Sequence, residues 1–171
     1  MTPIGAPGPL VVMGVSASGK STVGTRLAER LGVPFVDGDD LHPASNVEKM
    51  RAGVPLDDAD RAPWLDRVAA TLVRGADSGI VVACSALRRW YRDRIRTSAP
   101  GTAFVHLELS QAALRGRARA RVGHFMPPAL LASQLATLEP LEADETGMTL
   151  DAAQPVDVIV ERIVARLGDA G

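Results

Sequence analysis

Leu10 to Thr22 reads LVVMGVSASGKST, and this stretch decides how the rest of the chain is read. Leu10, Val11, Val12 and Met13 form the continuous apolar run of a buried strand. The run leads directly into Gly14-Val15-Ser16-Ala17-Ser18-Gly19-Lys20-Ser21, which fits the phosphate-loop pattern G-x-x-x-x-G-K-[ST]. The residue types have a physical reason. Glycines let the backbone turn tightly enough to aim several N–H groups into one concavity, and the following helix N-terminus adds its positive dipole end. Such a concavity binds polyphosphate. Lys20 then serves as a point charge for the β- and γ-phosphates, and the Ser21 hydroxyl as a magnesium ligand. The helix is present as well: Val23, Leu27, Ala28 and Leu31 recur at helical spacing, and Gly32-Val33-Pro34 supplies a stop.

The chain of 171 residues suits one domain with a substantial core, and 46% hydrophobic with 23% charged residues is ordinary for a globular protein. A formal net charge of −1 gives no global attraction to nucleic acid or to an anionic membrane, so the ligand must be sought locally. A single cysteine, Cys84, excludes an intramolecular disulfide, and the three histidines have no zinc-finger spacing, which makes a reducing cytoplasm the simplest home. Residues 1–9 read as a flexible tail without signal-peptide character, and no stretch approaches the roughly 20 apolar residues of a membrane span. The expected organisation is therefore a single domain over residues 10–171.

Val33 to Val36 is a short apolar run ending in Asp37-Gly38-Asp39-Asp40, which puts carboxylates at the strand edge where ligands of open α/β sheets bind. Two helices are expected over Leu41–Gly53 and Ala62–Arg74, the second with Pro63 near its start and an apolar stripe of Trp64, Leu65, Val68, Ala69, Leu72 and Val73. Ile80 to Ala83 reads as a buried strand ending at Cys84-Ser85. The helix after it carries Arg88, Arg89, Arg92, Arg94 and Arg96, of which the last three read as a charged face that keeps the helix soluble. Ala103–Leu109 is a further strand, and Ser110 is placed to cap a helix that runs into Arg115, Arg117, Arg119 and Arg121. A helix opening at Pro127-Pro128, a short strand at Met148–Leu150 and an amphipathic helix with Val156, Ile159, Val160, Ile163, Val164 and Leu167 complete the chain. Alternating strands and helices imply a three-layer α/β fold with a mostly parallel sheet, helices on both faces and right-handed connections.

Three further stretches, DGDDLHPASNVEKM at 37–50, SALRRWYRDRIR at 85–96 and RARARVGHFM at 117–126 with SQLATLEP and ADE beyond it, accompany GVSASGKS. Together they resemble the gluconokinase family, small kinases that phosphorylate D-gluconate on its 6-hydroxyl. The resemblance spans roughly residues 10 to 146. It implies a P-loop fold like that of nucleoside-monophosphate and shikimate kinases, with a five-stranded parallel sheet, a mobile lid at about 117–127, use of ATP and Mg²⁺, and a homodimer.

The chemistry of the residues agrees. Phosphoryl transfer to a sugar-acid hydroxyl needs positioning, charge neutralisation and a carboxylate near the attacking oxygen. Asp39 is the candidate for that carboxylate and Asp37 for magnesium contact, although the two roles could be exchanged; Asp40 reads as exposed. Nucleotide contacts fall on Gly14 to Ser21, on Thr22, and on Arg117 and Arg121, which lie one helical turn apart. Arg117 is the first choice for stabilising transition-state charge, and Arg115 and Arg119 read as solvent-facing. Gluconate is a polyhydroxylated anion, so its pocket needs a cation for the carboxylate and groups that donate and accept. His42, Asn46 and Lys49 share a helix face by spacing, Ser85 and Arg88 stand at the next strand end with Arg88 as the carboxylate anchor, and His124 and Gln134 resemble substrate-side or lid positions.

Some positions depart from the family pattern. Ala17 stands where glycine is common, at a cost of about 1 kcal/mol if the site requires positive φ. Val122 replaces a basic residue often seen before Gly-His-Phe, and the Ile80 strand ends without an aspartate, so magnesium must rely on Ser21, water and Asp37. A same-fold kinase of another small alcohol, such as shikimate or another aldonate, would differ in only a few pocket residues. A nucleotide-dependent switch would have no use for an acceptor-side carboxylate. An RNA-binding role is disfavoured by an aromatic content of 4% and by the lack of an RNA-binding signature.

Overall fold

A computed structural model describes residues 8–120 and 128–169. The order of elements is β1 (Pro9–Met13), α1 (Lys20–Leu31), β2 (Phe35–Asp37), a 3₁₀ turn (Gly38–Leu41), α2 (Ala44–Arg51), α3 (Asp58–Arg74), β3 (Ile80–Ala83), α4 (Arg89–Ser98), β4 (Ala103–Glu108), α5 (Gln111–Ala120), α6 (Pro128–Thr137), β5 (Gly147–Asp151) and α7 (Val156–Asp169). The five strands pair in parallel in the order β2-β3-β1-β4-β5.

Side-chain alternation along β1 builds both halves of the core. Leu10 and Val12 pack with Val23, Leu27 and Ala28 of α1 and with Ile159, Val160, Ile163 and Val164 of α7. Val11 and Met13 face the other way, onto Trp64, Leu65, Val68 and Leu72 of α3 and Tyr91 and Ile95 of α4. Helices therefore cover both faces of the sheet. The chain crosses from one side of β1 to the other between β3 and β4, so the topological switch point lies beside β1, whose carboxyl end carries the phosphate loop.

Local chemistry moved several boundaries from their expected positions. The 41–53 helix is divided, because His42 before Pro43 adopts extended backbone (φ −64°, ψ 138°); the 3₁₀ turn ends there and α2 begins after Pro43. α3 starts at Asp58 instead of Ala62, since Asp57 and Asp60 form a capping box: the Asp60 N–H donates to Asp57 Oδ1 at 2.7 Å and the Asp57 N–H to Asp60 Oδ2 at 3.0 Å. Ser110 does cap α5, accepting the Ala113 N–H at 3.2 Å.

The largest correction concerns Arg92, which is no member of a solvated face. It is 0% exposed, and its guanidinium grips Glu145 through Nε–Oε1 at 2.7 Å and Nη2–Oε2 at 2.9 Å. Arg96 also reaches Glu145, at 2.8 Å, whereas Arg94 pairs with exposed Asp66. Cys84 is buried, and burial pushes its thiol up to about 12, so it is an inert core residue at neutral pH. Among the described residues no helix is long and apolar enough to cross a membrane.

Candidate active site

The phosphate loop joins β1 to α1 and takes its shape from three left-handed or glycine-only conformations. Gly14 has φ +151°, and a Cβ there would sit 2.7 Å from Ser18 Oγ and 2.9 Å from the Leu107 carbonyl oxygen, so no side chain fits. Gly19 has φ +98° and turns the chain into the first turn of α1. Ala17 occupies positive φ at 67°, the strained geometry that glycine would relieve. Lys20 donates from Nζ to the Val15 carbonyl oxygen at 3.1 Å, which folds its ammonium back over the loop.

Ser21 Oγ donates to Asp37 Oδ2 at 2.8 Å, while Asp37 Oδ1 accepts the Asp39 N–H at 3.0 Å and so caps the 3₁₀ turn. The end of β2 is thereby tied to the start of α1. The pair offers two hard oxygen donors beside a phosphate site, a set that suits a magnesium ion bound largely by water and phosphate oxygens. Among the described residues no group of three or more His, Cys, Asp and Glu is arranged to hold a metal by itself.

Next to the loop lies a cavity of about 80 Å³ whose walls include Lys20, Asp39, His42, Arg61, Trp64, Ser85 and Gln134. Its polar groups come from five separate segments. Trp64 is buried, donates from Nε1 to the Gly38 carbonyl oxygen at 2.7 Å and stacks on the His42 ring at 4.2 Å between centroids, with 14° between the planes. Burial and the nearby Arg61 guanidinium hold His42 down at about 4, so the ring is neutral at physiological pH. Arg61 is itself fixed, donating from Nη1 to the Leu56 carbonyl oxygen and, at 3.1 Å, to the Tyr91 hydroxyl, which in turn donates to Asp58 at 2.8 Å. Burial and the Asp58 hydrogen bond push the Tyr91 phenol up to about 12. Gln134 of α6 closes the cavity against the phosphate loop, its Oε1 accepting the Ser16 N–H at 2.7 Å.

A family model described as an AAA domain matches residues 10–141. A gluconokinase from Gluconobacter oxydans (strain 621H) is 49% identical over 157 residues, covering 91% of this chain and 88% of the relative. Among solved structures, a gluconokinase from Sinorhizobium meliloti 1021 superposes with a TM-score of 0.87 at 48% identity, covering 96% of this chain and 95% of the other. The chain belongs to the gluconokinase family. A shikimate kinase from Bacteroides thetaiotaomicron, at 18% identity and a TM-score of 0.69, shares the fold alone over 94% of this chain and 98% of its own.

The gluconokinase-like blocks do not all lie where spacing alone put them. Asp39, His42, Ser85 and Gln134 line the cavity. Asn46 is buried behind His42, donating from Nδ2 to His42 Nδ1 at 3.1 Å and to the Asp60 carbonyl oxygen at 2.9 Å. Lys49 is held by both carboxylate oxygens of Asp60 at 2.8 and 2.9 Å and is not among the described residues of the cavity wall. Arg88, the expected carboxylate anchor, caps α4 with its Nε buried and unpartnered, and the guanidinium in the wall is that of Arg61. Arg117 lies against the loop, donating to the Ser18 carbonyl oxygen at 3.2 Å and to the Ala152 carbonyl oxygen at 2.7 Å. Thr22, Asp40, Arg115 and Arg119 are exposed. Arg121 and His124, and with them most of the lid at 117–127, lie outside the described residues.

Arg61 and Trp64 were legible as one face only once the start of α3 was known. The signal was the spacing Asp57-x-x-Asp60 ahead of the apolar stripe, which moves the helix start to Asp58 and places Arg61, Trp64 and Val68 on consecutive turns.

Proposed function

We propose that the protein transfers the γ-phosphoryl group of ATP to the 6-hydroxyl of D-gluconate, giving 6-phospho-D-gluconate and ADP. The observation that carries this reading is the direct abutment of the phosphate loop on a cavity holding both a carboxylate, Asp39, and an arginine, Arg61. A sugar acid presents a hydroxyl to the first and a carboxylate to the second. In the transfer the acceptor oxygen forms a bond to the γ-phosphorus as the bond to the β–γ bridging oxygen breaks, and the hydroxyl proton passes to Asp39 or to solvent.

Lys20 and the loop N–H groups hold the phosphates, and Arg117, beside the loop, supplies a further positive charge to the transferring group. Ser21 and Asp37 would hold magnesium, which when bound neutralises charge on the phosphate oxygens. A closing lid that contains Arg121 and His124 and a homodimer belong to the same proposal and are supported by the family resemblance; a cytoplasmic location belongs to it too, supported by the single cysteine. The product decides the chemistry. Proton-coupled ³¹P spectroscopy of the reaction with Mg-ATP and D-gluconate should show a new phosphomonoester triplet, since the 6-carbon bears two hydrogens; a doublet would place the phosphate on a secondary hydroxyl and overturn the regiochemistry.

Two substitutions separate the roles. Asp39→Asn should lower kcat by about 10²- to 10³-fold with the KM for ATP changed by less than a factor of two, and near-normal kcat would remove Asp39 from the acceptor side. Arg61→Ala should raise the KM for gluconate by about 30-fold while the KM for ATP stays put. If Arg88→Ala produces that gluconate defect and Arg61→Ala does not, the anchor is Arg88.

A further inference from the structure

Asn46 is 2% exposed, and its amide nitrogen has two partners, the Asp60 carbonyl oxygen at 2.9 Å and His42 Nδ1 at 3.1 Å. A carbonyl oxygen can only accept. The Asp60 contact therefore identifies the NH₂ end of the amide and removes the usual ambiguity between its oxygen and nitrogen. The second amide hydrogen then points at His42 Nδ1, which must accept and so carries no proton. In a neutral imidazole the proton is left on Nε2.

We infer that Asn46 locks His42 as the Nε2–H tautomer, making His42 a fixed, uncharged hydrogen-bond donor to an oxygen of the acceptor, and that Asn46 positions His42 without touching substrate. The inference deepens the proposed function, because it rests on this cavity being the acceptor pocket. The ring has little freedom to do otherwise. It lies flat on Trp64, whose own indole N–H is anchored to Gly38, and the His42 backbone N–H donates to the Asp39 carbonyl oxygen at 3.3 Å. The charged groups that line the same cavity are Arg61 from α3, Lys20 from the phosphate loop and Asp39 from the preceding turn, and the Lys49–Asp60 pair lies behind Asn46. Protonating the ring at Nδ1 would set an N–H against the Asn46 NH₂, which agrees with the neutral state that burial and Arg61 already favour.

The consequence is selectivity by hydroxyl pattern. A donor with no charge adds nothing to the capture of an acid as such, but it requires an oxygen lone pair at one place. An acid lacking that hydroxyl would leave the Nε2–H of the half-buried ring without a partner in the cavity. His42 also has no free lone pair with which to take the proton of the attacking hydroxyl.

Long-range ¹H–¹⁵N correlation spectra of the intact enzyme test this directly, since the chain has three histidines and His42→Gln identifies the resonance of interest. The expected result is a bare Nδ1 and a protonated Nε2 from about pH 5.5 to 8; an Nδ1–H tautomer or an imidazolium at neutral pH overturns the lock. In kinetics, His42→Gln restores a distal N–H and should keep the KM for gluconate within about threefold, whereas His42→Phe should raise it about 30-fold with the KM for ATP unchanged. Equal KM values for the two variants overturn the donor role. Asn46→Asp should make the gluconate KM depend on pH where that of the parent does not, and where this variant fails to fold the spectrum of the parent decides. An Nε2–H ring in an enzyme that does not phosphorylate gluconate leaves the lock standing and removes the proposed substrate.

Discussion

Lys20→Ala is expected to lower kcat by at least about 10³-fold while the protein remains folded. The ammonium sits over the loop with Nζ 3.1 Å from the Val15 carbonyl oxygen, at the mouth of both the phosphate site and the acceptor cavity. In the proposed reaction its charge is delivered where negative charge moves from the γ-phosphoryl group to the leaving β-phosphate. A preorganised cation there contributes about 4 kcal/mol to the transition state, which corresponds to about three orders of magnitude in rate. Lys20 is half-buried at the surface of the loop and belongs to neither core cluster, so its loss should leave the fold intact. The check is ADP release under saturating Mg-ATP together with a thermal melt. Unchanged turnover would contradict the phosphate-loop assignment, and a collapsed melt would show that Lys20 holds the loop together.

The second large effect is on stability. Arg92→Leu should destabilise the protein by about 3–5 kcal/mol, because it strips the main partner from a carboxylate that stays buried. Besides Glu145, Arg92 donates to the carbonyl oxygens of Ala86 and Glu139 at 3.0 Å and of Pro140 at 3.2 Å. It thus clamps the loop after β3, where Ala86 holds a positive φ of 45°, to the segment that follows α6. Replacing both members, Arg92→Leu with Glu145→Leu, should cost less than the single change, since no charge is then left alone. Burial by itself would raise the Glu145 carboxyl, yet the hydrogen bonds from Arg92, the Glu142 N–H and Arg96 hold it down at about 2. A carboxyl lowered in the folded state stabilises above its unfolded value, near pH 4.5, and that contribution fades as the pH falls toward 2. Urea unfolding at pH 7 and at pH 3 should show this acid loss in the parent and a much smaller one in the double variant. Equal stability of Arg92→Leu and the parent at pH 7 would show the pair to be without net effect.

Arg92 and Arg61 mark where the sequence stops being legible. The phosphate loop, the order of strands and helices and the two-sided packing of β1 all follow from local patterns: apolar runs, 3.6-residue stripes and glycine positions. Asp39, His42 and Ser85 could be assigned to one pocket because each follows a strand end at the same sheet edge. Arg92 could not be told from Arg94, since both sit on a basic helix, and only the return of Glu145 from 53 residues later makes one of them core. Arg61 was concealed differently, by a helix start hidden in an aspartate-rich segment. Asn46 meets His42 although the helix is broken between them, and Asp60 of the next helix engages both Asn46 and Lys49, a long-range contact with no local signature.

The central claim is that this loop and this cavity form one kinase site for a sugar acid. Coupled ADP release with Mg-ATP, run against D-gluconate, other aldonates, shikimate, adenosine monophosphate and no acceptor, tests it most directly. Strong turnover with gluconate and little with the others is the predicted result; turnover confined to another acceptor, or none at all from a protein that binds ATP, would contradict it.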